Sequence, residues 1–218
     1  MLRLILPFLL MAVAHAADVP LTSLKSNKVK SEPATYKGKT GVRVTDAVQD
    51  QNAPNEDRVV VLTGTKFTNG VIEADVSGEP AAGAGPGARG FVGIAFRIAP
   101  DVSKFECFYL RPTNGRADDQ VRRNHTLQYV SFPEFPWPRL RKESPEMYES
   151  YADLVPGEWT PVRIEVNGNK ARLFVNGTAQ PALIVNDLKL GASASGLVGL
   201  WIGPGTVAHF ANVRITEK

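Results

Sequence analysis

From Gly41 onward the chain is cut into short runs of β-branched and aromatic residues by Gly, Asn, Pro and Asp. That punctuation admits little besides a sheet protein. The runs fall at 42–45, 59–62, 71–76, 91–98, 105–111, 127–131, 159–166, 171–175, 183–185, 197–202 and 210–215. Each has strand length and is too short for an independent helix. Asn167-Gly168-Asn169 and Asn176-Gly177 supply the left-handed backbone of tight hairpins. Eleven strands predict an all-β fold, a two-sheet antiparallel β-sandwich. A helix is expected only around residues 145–151. The Gly/Ala/Pro stretch 80–90 reads as an exposed loop, too short to be an interdomain linker.

The first residues have a different character. Met1-Leu2-Arg3 gives a positive start, residues 4–13 are almost continuously apolar, and Ala14-His15-Ala16 fits a small-x-small cleavage site. Residues 1–16 are therefore expected to be a secretory signal peptide, too short to span a bilayer. Residues 17–38 form an N-terminal segment packed on or leading into the sandwich, and residues 39–218 form the sandwich domain. The expected destination is the periplasm or the exterior, with no membrane association after cleavage. With a single cysteine, Cys107, neither an internal disulfide nor a cysteine-based zinc cluster can form.

Strand parity divides the residues further. In 91–98, Val92, Ile94, Phe96 and Ile98 share the core side, while Phe91, Gly93, Ala95 and Arg97 share the other. In 197–203, Gly199, Trp201 and Gly203 likewise oppose Val198, Leu200 and Ile202. Glycine inside a strand marks close approach of a ligand or another chain segment. A noncore face with small residues beside Trp201 is thus expected to have room for a ligand.

Residues 105–151 hold nine of the eighteen aromatics, six arginines and seven acidic side chains. Long loops on a rigid sheet commonly form binding sites. The chain as a whole carries only +3, from 25 basic and 22 acidic residues. Single-stranded nucleic acid needs a stronger positive excess, so it is not expected as a partner. Balanced charge beside aromatics points to a neutral ligand such as a carbohydrate, or to internal salt bridges. Tyr109, Asn114, Arg116, Gln128, Tyr129, Trp137, Arg139 and Trp201 are the expected ligand contacts.

Several catalytic templates can be weighed. Glu73 and Asp75 share one strand face, about 7 Å apart by strand rise, but Ser77 and Gly78 follow where a third acid is needed. No Gly-x-Ser-x-Gly elbow occurs, and beyond the leader the histidines are His125 and His209. Asp118, Asp119 and His125 are the side chains that could converge on a cation. His125 is the expected general acid or base, by its pKa range and its polar setting.

The segments GTKFTNGVIEADV, GFVGIAFR, FECFYLRPTNGRADD, QYVSFPEFPWPRLR and GLVGLWIGPGTVAHFANVRI together resemble exported bacterial concanavalin A-like jelly-roll domains. The resemblance runs from Lys39 to Ile215, toward those grouped with 3-keto-disaccharide hydrolases and near laminin G-like domains. It implies a concave sheet that binds a glycan, sometimes with a structural calcium. It also implies a carbohydrate-active enzyme cleaving 3-keto-glycosides. His125 or Glu106 would remove the acidified C–H, and Arg97 or Arg111 would stabilise the enolate. A noncatalytic glycan-binding module and a protein-interaction or envelope domain are the alternatives. Oligomeric state is left open.

Overall fold

A computed structural model describes residues 17–48 and 57–218; the expected signal peptide lies outside the described residues. The strands are β1 (Ala17–Asp18), β2 (Leu24–Asn27), β3 (Val29–Tyr36), β4 (Lys39–Asp46), β5 (Val59–Phe67), β6 (Gly70–Pro80), β7 (Val92–Ile98) and β8 (Phe105–Leu110). They continue with β9 (Leu127–Phe132), β10 (Glu149–Ser150), β11 (Thr160–Asn167), β12 (Lys170–Val175), β13 (Leu183–Val185), β14 (Gly196–Ile202) and β15 (Thr206–Glu217).

All pairings are antiparallel and build two sheets. Sheet A runs β13-β12-β11-β6-β15-β4-β3, with β1 also on β15; sheet B runs β10-β9-β8-β7-β14-β5-β2. The expected sandwich is therefore present. Its N-terminal segment belongs to it, because β3 edges sheet A and β2 edges sheet B.

The inner face of sheet B is the one that meets sheet A. A Cβ added to Gly78 of β6 would come within 2.8 Å of Val92 on β7. Cross-strand register places Ile94 beside Phe108, and Phe108 beside Tyr129, on that same face. On sheet A, Ile72, Ala74 and Val76 turn inward while Val71, Glu73 and Asp75 stay partly exposed. Asp75 is held by Lys39 at 2.7 Å and by the Asn212 amide at 2.6 Å. The Glu73/Asp75 pair is thus an ordinary outer strand face, remote from sheet B.

The connections of the aromatic-rich segment differ from expectation. Residues 145–151 are not helical; instead α1 covers Gln120–Asn124 and α2 covers Trp137–Glu143. Asp119 caps α1 by accepting from the Arg122 N–H at 3.0 Å. Pro138 falls in the first turn of α2, where a missing N–H breaks no helical bond. Leu140 is the buried residue that anchors α2.

Candidate functional site

Register decides which polar groups meet. On the outer face of sheet B, Trp201 and Tyr109 are both cross-strand partners of Gly93. Their strands are about 10 Å apart, two strand spacings, yet the rings stack at 4.7 Å between centroids. They lean together over Gly93, where a Cβ would lie 2.6 Å from that of Tyr109. A Cβ on Gly203 would lie 2.6 Å from that of Phe91. The glycines expected to make room for a ligand therefore make room for neighbouring side chains, aromatic at Gly93 and Gly203 and aliphatic (Val59 and Ile98) at Gly199.

Arg111 continues the same face. Its guanidinium lies 4.9 Å from the Tyr109 ring centroid and 5.9 Å from that of Trp137. Arg141, one helical turn after Trp137, sits 4.6 Å from the same indole. The result is a row running Trp201, Tyr109, Arg111, Trp137. Trp201 and Tyr109 are buried, and Trp137 is 38% exposed.

A polar network fixes this row. Arg111 donates to the Tyr109 hydroxyl at 2.9 Å, to Gln128 Oε1 at 3.0 Å and to the His125 carbonyl at 2.9 Å. Gln128 in turn donates to the carbonyls of Tyr129 and Tyr148. Asn114 donates to the same His125 carbonyl at 3.1 Å. Buried Glu149, opposite Gln128 in register, receives Arg141 in a two-bond contact and lies 3.6 Å from Arg111.

His125 completes the group. Its Nδ1 is 3.1 Å from Glu149 Oε2, although the contact is off the line of a ring N–H hydrogen bond. Burial holds its pKa below the usual histidine value, helped by Arg141 and Arg111 and opposed by Glu149. His125 lines an open cleft with Val121, Asn124, Glu146, Glu149, Ser150 and Tyr151.

Three expected site residues lie elsewhere, on the inner face. Glu106 is fully buried, accepting from the Tyr129 hydroxyl and from the Leu190 N–H at 2.7 Å. Burial raises its pKa, partly offset by those hydrogen bonds and by Arg97. Burial and the nearby Glu106 likewise push the Tyr129 phenol upward. Parity places Glu106 and Tyr129 between the sheets, so neither faces the Trp137 row.

Arg97 is a correction of the parity argument itself. The β7–β14 register shifts between Leu197 and Gly199, and Arg97 takes a left-handed φ of 54°. This bulge removes Arg97 from the face of Gly93 and Ala95. Its guanidinium donates to the carbonyls of Thr68, Gly168 and Gly191 at 2.7–3.1 Å. Those bonds tie together turns of both sheets and leave it little to offer an enolate.

The remaining expected contacts are peripheral. Arg116 forms an exposed two-bond pair with Asp153. Arg139 bonds Glu143 and the Glu134 carbonyl and lies over Phe135, apart from the Trp137 row. Among the described residues, no three His, Cys, Asp or Glu side chains gather as metal ligands. Asp118 and Asp119 line one cleft and His125 another, so the three do not converge on a cation. Glu149 and Arg141 were visible in the sequence only as balancing charges. Their convergence depends on β10, a strand of two residues.

No protein-family model matches the chain, and no curated protein does. Solved structures are similar in fold. The carbohydrate-binding module CBM66 from Bacillus subtilis aligns with a TM-score of 0.59 and 13% identity, over 90% of this chain and 98% of its own. A Bacillus subtilis protein of unknown function with a galectin-like fold aligns at 0.54 with 14% identity, over 93% and 94%. At these identities the likeness concerns architecture. It shows a two-sheet sandwich of the galectin-like jelly-roll kind.

Proposed function

We propose that this chain is an exported saccharide-binding domain whose ligand docks at Trp137, along the outer face of sheet B. The row from Trp201 through Tyr109 and Arg111 to exposed Trp137 carries this reading. Sugars present apolar C–H faces that pack on aromatic rings, while their hydroxyls take hydrogen bonds from fixed polar groups. Arg111 and Arg141 flank the indole, and Glu149 and Gln128 hold them in place. Such preorganisation limits the entropy lost on binding. Two solved structures of similar fold, one a carbohydrate-binding module, are consistent with this use of the sandwich.

Glycan-array profiling of the secreted chain, repeated with Trp137→Ala, tests the proposal. Binding to a defined glycan that weakens at least tenfold in the variant supports it. Binding that is unchanged places the ligand elsewhere.

Cleavage of glycosides, including 3-keto-glycosides, is the second reading. The observation favouring it is His125 in an open cleft with the Glu149 carboxylate 3.1 Å from its Nδ1, since an imidazole beside a carboxylate is suited to proton transfer. Glu106 and Arg97 have no role in this version. Turnover of a 3-keto-glycoside lost in His125→Ala and kept in Glu106→Gln would support it.

A further inference from the structure

The arginines of this region do not share their acids evenly. Arg116 has Asp153, Arg139 has Glu143, and Arg141 and Arg111 divide Glu149. Arg89, Arg122 and Arg123 have no carboxylate ion pair among the described residues, and Arg123 is turned onto the Tyr151 hydroxyl and ring. Arg122 in α1 has one long contact, from Nη2 to Asn114 Oδ1 at 3.4 Å, and its Nε is buried without an acceptor. Arg89, just before β7, hydrogen-bonds among the described residues through Nη1, on the carbonyls of Pro86 and Ala88.

These two residues belong to the same corner as Arg111. The Arg89 carbonyl accepts from the Thr113 N–H at 3.3 Å. The neighbouring Asn114 joins Arg122 to the His125 carbonyl that Arg111 also holds. Arg122 and Arg111 lie near enough to Arg89 to lower its pKa together with burial. The near-neutral sum over residues 105–151 leaves out Arg89 and does not show that the Arg122 guanidinium has no carboxylate of its own. An unneutralised, partly buried guanidinium group is costly unless an anion completes it.

We propose that Arg89 and Arg122, beside Arg111, form an oxyanion subsite for an acidic saccharide. This rests on the saccharide-binding reading and narrows its ligand from neutral to negatively charged sugars. The group recognised is a carboxylate or a sulfate. Guanidinium forks bind either, and the planar carboxylate matches the two-bond geometry best.

Calorimetric titration with tetragalacturonate, its methyl ester and a sulfated galactan tetrasaccharide tests the subsite. Tetragalacturonate, the sulfated sugar or both should bind at least roughly tenfold tighter than the ester, with an affinity that falls as salt is raised. Preference between the two acids identifies the anion. Arg122→Gln and, separately, Arg89→Gln should remove most of that advantage while leaving ester binding unchanged. Thermal melting of both variants identifies any that misfolds, and the other then decides. Equal affinity for acid and ester, unaffected by either substitution, overturns the subsite and leaves saccharide binding standing. Failure of all three sugars to bind overturns both. Tighter binding of a single-stranded oligonucleotide than of any sugar also overturns the assignment.

Discussion

Sheet B carries two buried ionisable clusters of nearly the same composition, one on each face. The inner cluster contains Arg97, Glu106 and Tyr129; the outer contains Arg111, Glu149, Tyr109 and His125. Inside, every element of the cluster closes on the protein: Arg97 on three backbone carbonyls, and Glu106 on Tyr129 and Leu190. Outside, the network ends in an exposed indole, an open cleft and, at Arg89 and Arg122, guanidinium groups with no carboxylate among the described residues. Residue type therefore does not separate a structural cluster from a recognition site. What separates them is whether the donors and acceptors are exhausted within the fold.

Truncating each cluster in turn separates their roles. Arg97→Ala should have the largest effect, lowering stability by about 3–5 kcal/mol, since it strips the donors from three buried carbonyls and removes a positive charge near Glu106. Urea unfolding measures this, and the fraction that remains folded should keep its affinity for saccharide. Trp137→Ala should do the reverse. Its saccharide affinity should fall at least roughly tenfold, as for an aromatic hot spot, with a stability change under about 1 kcal/mol.

The two clusters should also respond to pH with opposite signs. Burial lowers the pKa of His125 below 6.5, so below that value the unfolded chain binds more protons. Stability contributed by neutral His125 is complete above pH 6.5 and is lost as pH falls through its folded value. Burial and Arg43 give His209 the same sign. Glu106 is raised above 4.5, so the native state holds its proton longer. Its contribution is present below pH 4.5 and lost as pH rises through the folded value. Unfolding curves across pH should show Glu106→Gln removing the second slope and His125→Asn reducing the first. Arg139→Ala should have the smallest effect. It breaks an exposed i,i+4 pair, so stability should change by less than about 0.5 kcal/mol and binding not at all.

Much of the sandwich was legible in the sequence because strand periodicity and hairpin glycines are local signals. Leu183–Val185 appears as read, and the other main strands differ mainly at their ends. The edge strands Leu24–Asn27 and Val29–Tyr36 were missed because their polar residues lack an apolar alternation. Helix α2 was missed because two prolines read as loop, although one falls where a helix tolerates it. The site was only partly legible. Parity correctly grouped Gly93 with Trp201, but it failed at Arg97, where a bulge inserts a residue that alternation cannot foresee. Nor could a charge total show which acid reaches which arginine, and that pairing leaves Arg89 and Arg122 unneutralised.

The indole N–H resonances offer the most direct test of a recognition site on the outer face of sheet B. Trp137 and Trp201 belong to that row, whereas Trp159 donates to the Tyr36 carbonyl on sheet A. In a 15N–1H spectrum titrated with a bound oligosaccharide, the Trp137 indole should shift most while Trp159 stays in place. A shift of Trp159 with Trp137 unmoved would contradict the account.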